Sequence, residues 1–126
     1  MSPSSVAQLA RGSVVLVRFP FTDLTGTKRR PAVVVTDPTN VTGPDCHFVF
    51  VGSRPPGPHE PSLPIVAGSP EAAAAGLKFP PGRTSVFIRP RKIATLDVSL
   101  VSRRLGSLPP TLMATLDSHL KRMLGL

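Results

Sequence analysis

Short apolar runs alternate with polar segments rich in proline and glycine along this chain. "SVVLVRF" (13–19), "PAVVVT" (31–36), "HFVFVG" (47–52), "TSVFIR" (84–89) and "RKIATL" (91–96) are dominated by Val, Ile, Phe and Thr. These residues suit a pleated, half-buried surface, and the runs predict strands. "SLVSRRL" (99–105) predicts a sixth. The pattern changes near the end, where Leu112, Leu116, Leu120 and Leu124 recur in steps of four and Met113 and Met123 widen the stripe. That spacing predicts an amphipathic helix that closes the core or a dimer interface. The whole predicts a mainly β fold with a C-terminal helix, a small and strongly curved sheet or barrel.

The 16 prolines and 10 glycines punctuate these elements, with no repeat and no heptad. "RPPGPHEPSLP" (54–64) is too proline-rich for regular structure and reads as a long loop. "GSPEAAAAGLKFPPGR" (68–83) follows. Its Ser69 suits an N-cap, Pro70 the first helical position, Glu71 the positive end of the helix dipole and Gly76 the C-terminal stop, so one or two helical turns are expected within a loop.

Length fits one domain, residues 1–126, and a core that needs no disulfide or metal. The one cysteine, Cys46, beside His47 on an apolar run, reads as a small core residue. The histidines are scattered, and no zinc spacing, phosphate-cradling glycine motif or Ser-His-Asp order is present. No basic start leads into a long apolar stretch, and no apolar run is long enough to span a bilayer. A soluble, cytoplasmic protein without metal or cofactor is expected.

Charge changes the picture most. Fifteen Lys and Arg face seven Asp and Glu, a formal net charge of +8 with a pI near 11.4. Such a field attracts polyanions, nucleic acid first and acidic protein next. With no Trp or Tyr, a broad base-stacking platform is excluded.

The chemistry concentrates in "RFPFTDLTGTKRRPAVVVTD" (18–37). Two predicted strands are joined there by about eleven residues, long for a hairpin, and long loops on rigid strands carry function. Lys28, Arg29 and Arg30 stand at its end, closed by Pro31. Proline suits the start of a strand and drives Arg30 into an extended backbone, so Arg30 is aimed better than its neighbours. A guanidinium so held grips phosphate through two parallel hydrogen bonds. The plainer reading is a solvated cationic turn guarding a sheet edge.

"RGSVVLVRFPFTDLTGTKRRPAVVV" and "TSVFIRPRKIATLDVSLVSRRLGSL" resemble the opening and the late strands of MazF/PemK-type toxins of type II toxin–antitoxin systems. In that family an Arg-Pro pair follows the first loop, and an "I-x-T-[IL]-D" segment and an "rLG-x-L" ending precede the last helix. The resemblance implies an SH3-like curved barrel of the PemK/CcdB type. It implies a homodimer that cuts single-stranded mRNA at selected sequences, without a metal, leaving a 2′,3′-cyclic phosphate. It also implies inhibition by a cognate acidic antitoxin. The catalytic Arg of the family falls on Arg30. The assisting Thr or Ser at the end of the third strand falls on Gly52 or Ser53; with Gly52 there, Ser53 supplies the hydroxyl. Lys28 stands where many relatives carry Glu, which leaves Asp23, His47 or the surroundings of the 2′-hydroxyl itself as the base. Lys28, Arg29, Arg54 and Arg83 are expected along phosphates, and Phe21 or Phe19 under a base. Two other readings share the fold: a CcdB-like inhibitor of a protein target, and a nucleic-acid-binding barrel without catalysis.

Overall fold

The apolar runs at 13–19, 31–36 and 47–52 become strands with side chains buried on both faces. The computed structural model describes residues 5–19 and 28–126. Strands form at Ser13–Phe19 (β1), Lys28–Val34 (β2), Asp45–Gly52 (β3), Leu63–Val66 (β4), Ser85–Asp97 (β5) and Val101–Ser107 (β6), and helices at Pro70–Ala75 (α1) and Pro110–Leu124 (α2). The strands make one antiparallel sheet in the order β4-β5-β3-β2-β1-β6.

Because side chains alternate along a strand, each of these three runs feeds two cores. Val14, Val33, Val49 and Val51 turn toward α1 and α2 and pack with Ala75, Leu116 and Leu120. Val15, Val17, Ala32, Val34, Phe48 and Phe50 turn the other way, beneath Val6 and Leu9 of the N-terminal segment and Val98 after β5. Full burial of one such side chain is worth about 1.5–3 kcal/mol, so the sheet is held from both sides.

The sheet curls without closing, since no pairing joins β4 to β6 among the described residues. α1 packs against both of those edge strands instead. Its local chemistry follows the sequence reading: Ser69 Oγ accepts from the Ala72 N–H at 3.1 Å, Pro70 opens the helix, and Gly76 ends it at φ +65°. Gly76 and Gly106 let the helix end and β6 meet backbone to backbone. A Cβ on Gly76 would strike the Leu105 carbonyl, and one on Gly106 the Ala74 carbonyl.

α2 buries Leu116 and Leu120, half-buries Leu112 and exposes Leu124. Four residues overrun a 3.6-residue turn by about 40°, so the stripe swings off the core by its fourth leucine. The stripe thus closes this chain's own core. Arg11 fixes the helix to the start of β1, with two hydrogen bonds to the Asp117 carboxylate at 3.0 and 2.5 Å and one from Nε to the Val35 carbonyl at 3.1 Å.

The boundaries differ from the sequence reading in several places, and β3 starts two residues early, at Asp45. The cations Lys28, Arg29 and Arg30 are the first residues of β2 itself, paired with Phe19, Arg18 and Val17. Pairing of β2 with β3 begins only at Ala32, so Pro31 sits where one flank of the strand is open. β4 lies at the end of the segment expected to be loop. β5 runs unbroken through Pro90, where two strands were expected, because a bulge accommodates the proline: residues 89–92 stand against the single residue Phe50 of β3. Finally, β6 begins two residues late, after a 3-10 turn at Val98–Leu100 capped by Asp97, whose carboxylate accepts from the Ser99 N–H at 2.9 Å.

Candidate functional site

Arg30 shares its side of β2 with Ala32 and Val34, and Gly52 shares its side of β3 with Phe48 and Phe50. The register pairs Ala32 with Phe50. Two residues beyond that last pair the strands no longer pair, and Arg30 and Gly52 border the space between them. A cleft of about 840 Å³ opens there. Its floor is Phe50, Gly52, Ile93 and Ala94. Its lining also carries five cations, Lys28, Arg30, Arg54, Arg89 and Lys92, against one carboxylate among the described residues, Glu60.

Ser53, the first residue beyond β3, lines this cleft and also a smaller pocket of about 240 Å³ with Arg83, Thr84, Ser85 and Phe87. Four of the expected site residues, Lys28, Arg30, Ser53 and Arg54, therefore meet in one cleft, and Arg83 lies in the adjoining pocket. Arg29 does not line the cleft, because it alternates to the opposite side of β2 from Arg30. Phe21 and Asp23, and the side chain of Phe19, lie outside the described residues.

His47 is five residues back along β3, about 17 Å from Gly52 at the rise of an extended strand. Its Nδ1 is 2.9 Å from the Thr36 hydroxyl, which in turn accepts from the His47 N–H at 2.6 Å. It is thus held at the far end of the strand from Arg30. Cys46 is buried in the core as expected, and burial pushes its thiol pKa up. Among the described residues no three His, Cys, Asp or Glu side chains gather as a metal site, and no helix is long and apolar enough to cross a membrane.

Sequence reasoning missed Arg89, Lys92 and Glu60. The bulge in β5 carries Arg89 and Lys92 to the cleft. Arg89 Nη1 donates to both Glu60 oxygens, at 2.8 and 2.7 Å, and Nη2 donates to the Arg54 carbonyl. A Cβ at position 52 would lie 3.0 Å from Arg89 Nε, so the guanidine occupies the space that a side chain on residue 52 would need. The signal for this was the charge run "RPRK" at 89–92, whose proline marks a bulge as readily as a break between strands.

The Arg89 hydrogen bond, with a smaller charge contribution, holds the Glu60 carboxyl below its ordinary pKa. Asp37 is lowered by the Thr39 hydroxyl and N–H, and Asp97 by the Ser99 N–H. Groups depressed in the folded state contribute stability above their unfolded pKa, and that stability is lost as pH falls through the folded values. The urea midpoint is accordingly expected to fall between about pH 6 and about pH 3. A midpoint that held or rose over that interval would contradict these assignments.

Residues 10–124 match the family described as PemK-like, MazF-like toxin of type II toxin-antitoxin system. No curated protein matches the chain. Among solved structures, the chain is similar to the Mycobacterium tuberculosis toxin MazF-mt6, with TM-score 0.65 and 14% identity over 90% of this chain and 97% of that one. An endoribonuclease in complex with its cognate antitoxin, from a Mycobacterial species, gives 0.60 and 20% over 92% of each chain. The MazE–MazF assembly of Deinococcus radiodurans gives 0.58 and 21% over 100% and 99%. These likenesses establish the fold, and the family match spans nearly all of the sequence. This chain belongs to the PemK/MazF-like toxins of type II toxin–antitoxin systems.

Proposed function

We propose that this protein is an endoribonuclease that cuts single-stranded mRNA without a metal ion, at sites selected by sequence. The cleft carries the reading: a half-buried guanidinium, Arg30, stands among further cations, and a hydroxyl-bearing residue, Ser53, lines the same cleft. RNA brings its own nucleophile, the 2′-hydroxyl next to each phosphate. The 2′-oxygen bonds to phosphorus, the bond from phosphorus to the 5′-oxygen breaks, and the 2′-proton leaves to a base while the 5′-oxygen gains one. The products are a 2′,3′-cyclic phosphate and a 5′-hydroxyl.

Arg30 stabilises the negative charge that grows on the phosphorane oxygens. Arginine stays protonated at any working pH, which suits that role and not proton abstraction. Ser53 donates to a phosphate oxygen. Lys28 and Arg54 hold flanking phosphates, and Arg83 continues the track into the smaller pocket. A homodimer in the cytoplasm, held in check by an acidic antitoxin, belongs to the same reading. The net charge of +8 suits such a partner, and the solved relatives include a toxin with its cognate antitoxin.

Incubation of the purified protein with mixed single-stranded RNA in EDTA tests this. Discrete cuts ending in cyclic phosphate are expected. Binding without cutting would leave a nucleic-acid-binding barrel, and neither binding nor cutting would point to a protein target. Activity that vanished in EDTA and returned with a divalent ion would overturn the metal-free mechanism.

A further inference from the structure

The ion pair inside the cleft has no evident place in that chemistry. Arg89 and Glu60 bond to each other with side chains only 12% and 20% exposed, in the part of the molecule where a polyanion is to bind. Glu60 is the one carboxylate lining the cleft among the described residues. We propose that Glu60 is a built-in competitor for RNA phosphate: it occupies a phosphate subsite at Arg89, and an incoming strand must displace it. This rests on the RNA-cutting reading above and adds both a subsite and its gate.

The argument is first one of shape. A carboxylate and a phosphodiester each present two anionic oxygens, and a guanidinium binds both through the same fork of N–H donors. Glu60 already takes Arg89 Nη1 on both of its oxygens. A phosphate reaching Arg89 meets a site filled by its closest protein mimic.

Position makes the competition local. Arg89 packs over Gly52, and Arg89 and Arg30 line the same cleft, so a strand laid along it can present a phosphate to each. The proline-rich connection from β3 to β4 carries Glu60. Its turn is self-contained: the Glu60 N–H bonds to the Gly57 carbonyl at 3.1 Å, and the Gly57 N–H reaches back to Glu60 Oε1 at 3.4 Å. Glu60 can therefore leave Arg89 without unpairing a strand. Tethering gives it a high effective concentration, and the apparent affinity for RNA falls by the fraction of molecules in which Arg89 is taken.

Charge points the same way. The cations lining the cleft attract the strand, and Glu60 repels it from a partly dehydrated site, where salt screens poorly. Without Glu60 the charged residues that line the cleft, among those described, would all be cations.

The test uses an uncleavable all-2′-deoxy single-stranded oligonucleotide and fluorescence anisotropy. Glu60→Gln is expected to bind about fivefold more tightly than wild type, the scale of one partly exposed ion pair. Asp45→Asn removes the same charge from the far end of β3 and is expected to change affinity less than twofold, as a general field effect would. In Glu60→Gln/Arg89→Gln the gain should vanish, because it acts through Arg89.

Wild type gives a second readout that requires no variant to fold. Saturating oligonucleotide should speed hydrogen exchange at the amides of 54–62, because displaced Glu60 frees its loop. Unchanged or slower exchange there, or a folded Glu60→Gln that binds no more tightly than wild type, overturns the proposal. The latter result would make Glu60 a loop anchor or a base. Wild-type cleavage is scored separately: a protein that neither binds nor cuts RNA removes the proposed function, whereas one that cuts while Glu60→Gln gains nothing removes this inference alone.

Discussion

Arg30→Lys is expected to slow RNA cleavage by about a hundredfold or more, the scale on which one oxyanion donor acts. Lysine keeps the charge and loses the planar fork. Arg30 lines the cleft from an extended backbone that Pro31 enforces, and no other residue of β2 has that combination. Affinity for RNA should fall only modestly, since Lys28, Arg54, Arg89 and Lys92 still line the cleft. Arg29→Lys is the internal control. It carries the same charge one residue away, but on the other side of the strand, and should alter neither rate nor affinity. In cells, expression of Arg30→Lys should no longer arrest growth, while Arg29→Lys still should. A substrate with one 2′-deoxy sugar at the cut site should bind and stay intact. Equal losses from the two arginine variants, or cleavage of the deoxy substrate, would reduce Arg30 to one cation among several at the start of β2.

Gly106→Ala is expected to cost about 3–5 kcal/mol of stability or to prevent folding, a range reached only by specific structural conflicts. The added methyl would meet the Ala74 carbonyl and the backbone of Ala75, which cannot rotate away as a side chain would. Gly76→Ala should be comparably severe. There the backbone is left-handed at φ +65°, and the methyl would strike the Leu105 carbonyl. Gly57→Ala is the contrast, with nothing near its added Cβ, and should stay within about 0.5 kcal/mol. Thermal melts of the three variants decide this. A stable Gly106→Ala would mean that α1 is not seated against β6.

What could be read in the sequence was what is decided locally. Ser69, Pro70 and Gly76 announced α1 because capping and left-handed backbone depend on a few consecutive residues. β1 was legible because "SVVLVRF" is too apolar to lie anywhere but in a sheet. β4 was not: its four residues, Leu63 and Ile65 inward with Pro64 and Val66 outward, are strand only because Ser85–Ile88 of β5 pairs with them. Pro90 misled in the same way, since a bulge and a strand break look alike until the register is known.

The site divides along the same line. Arg30 could be singled out because Pro31 acts on its immediate neighbour, and its role as catalytic candidate came from the family resemblance. Ser53 came from the family resemblance, which left it and Gly52 as alternatives, and Arg54 from its charge beside them. Arg89 and Glu60 are separated by 29 residues and joined only by the fold, and neither carries a local mark of its partner.

The pairing of β1 with β6 bears on how this protein is made. Translation proceeds from the N-terminus, so Ser13–Val17 leaves the ribosome long before Val101–Ser107 exists to pair with it. β5, which brings Arg89 to the cleft, and α2, which covers one core, are also made late. Contacts this distant in sequence form slowly and only once both partners are present. A chain terminated before Val101 has a bare edge on β1 and no Leu116 or Leu120 to fill the core, so abandoned products are targets for proteolysis rather than active cutters. β6 and the buried leucines of α2 must be made before the sheet and its core are complete.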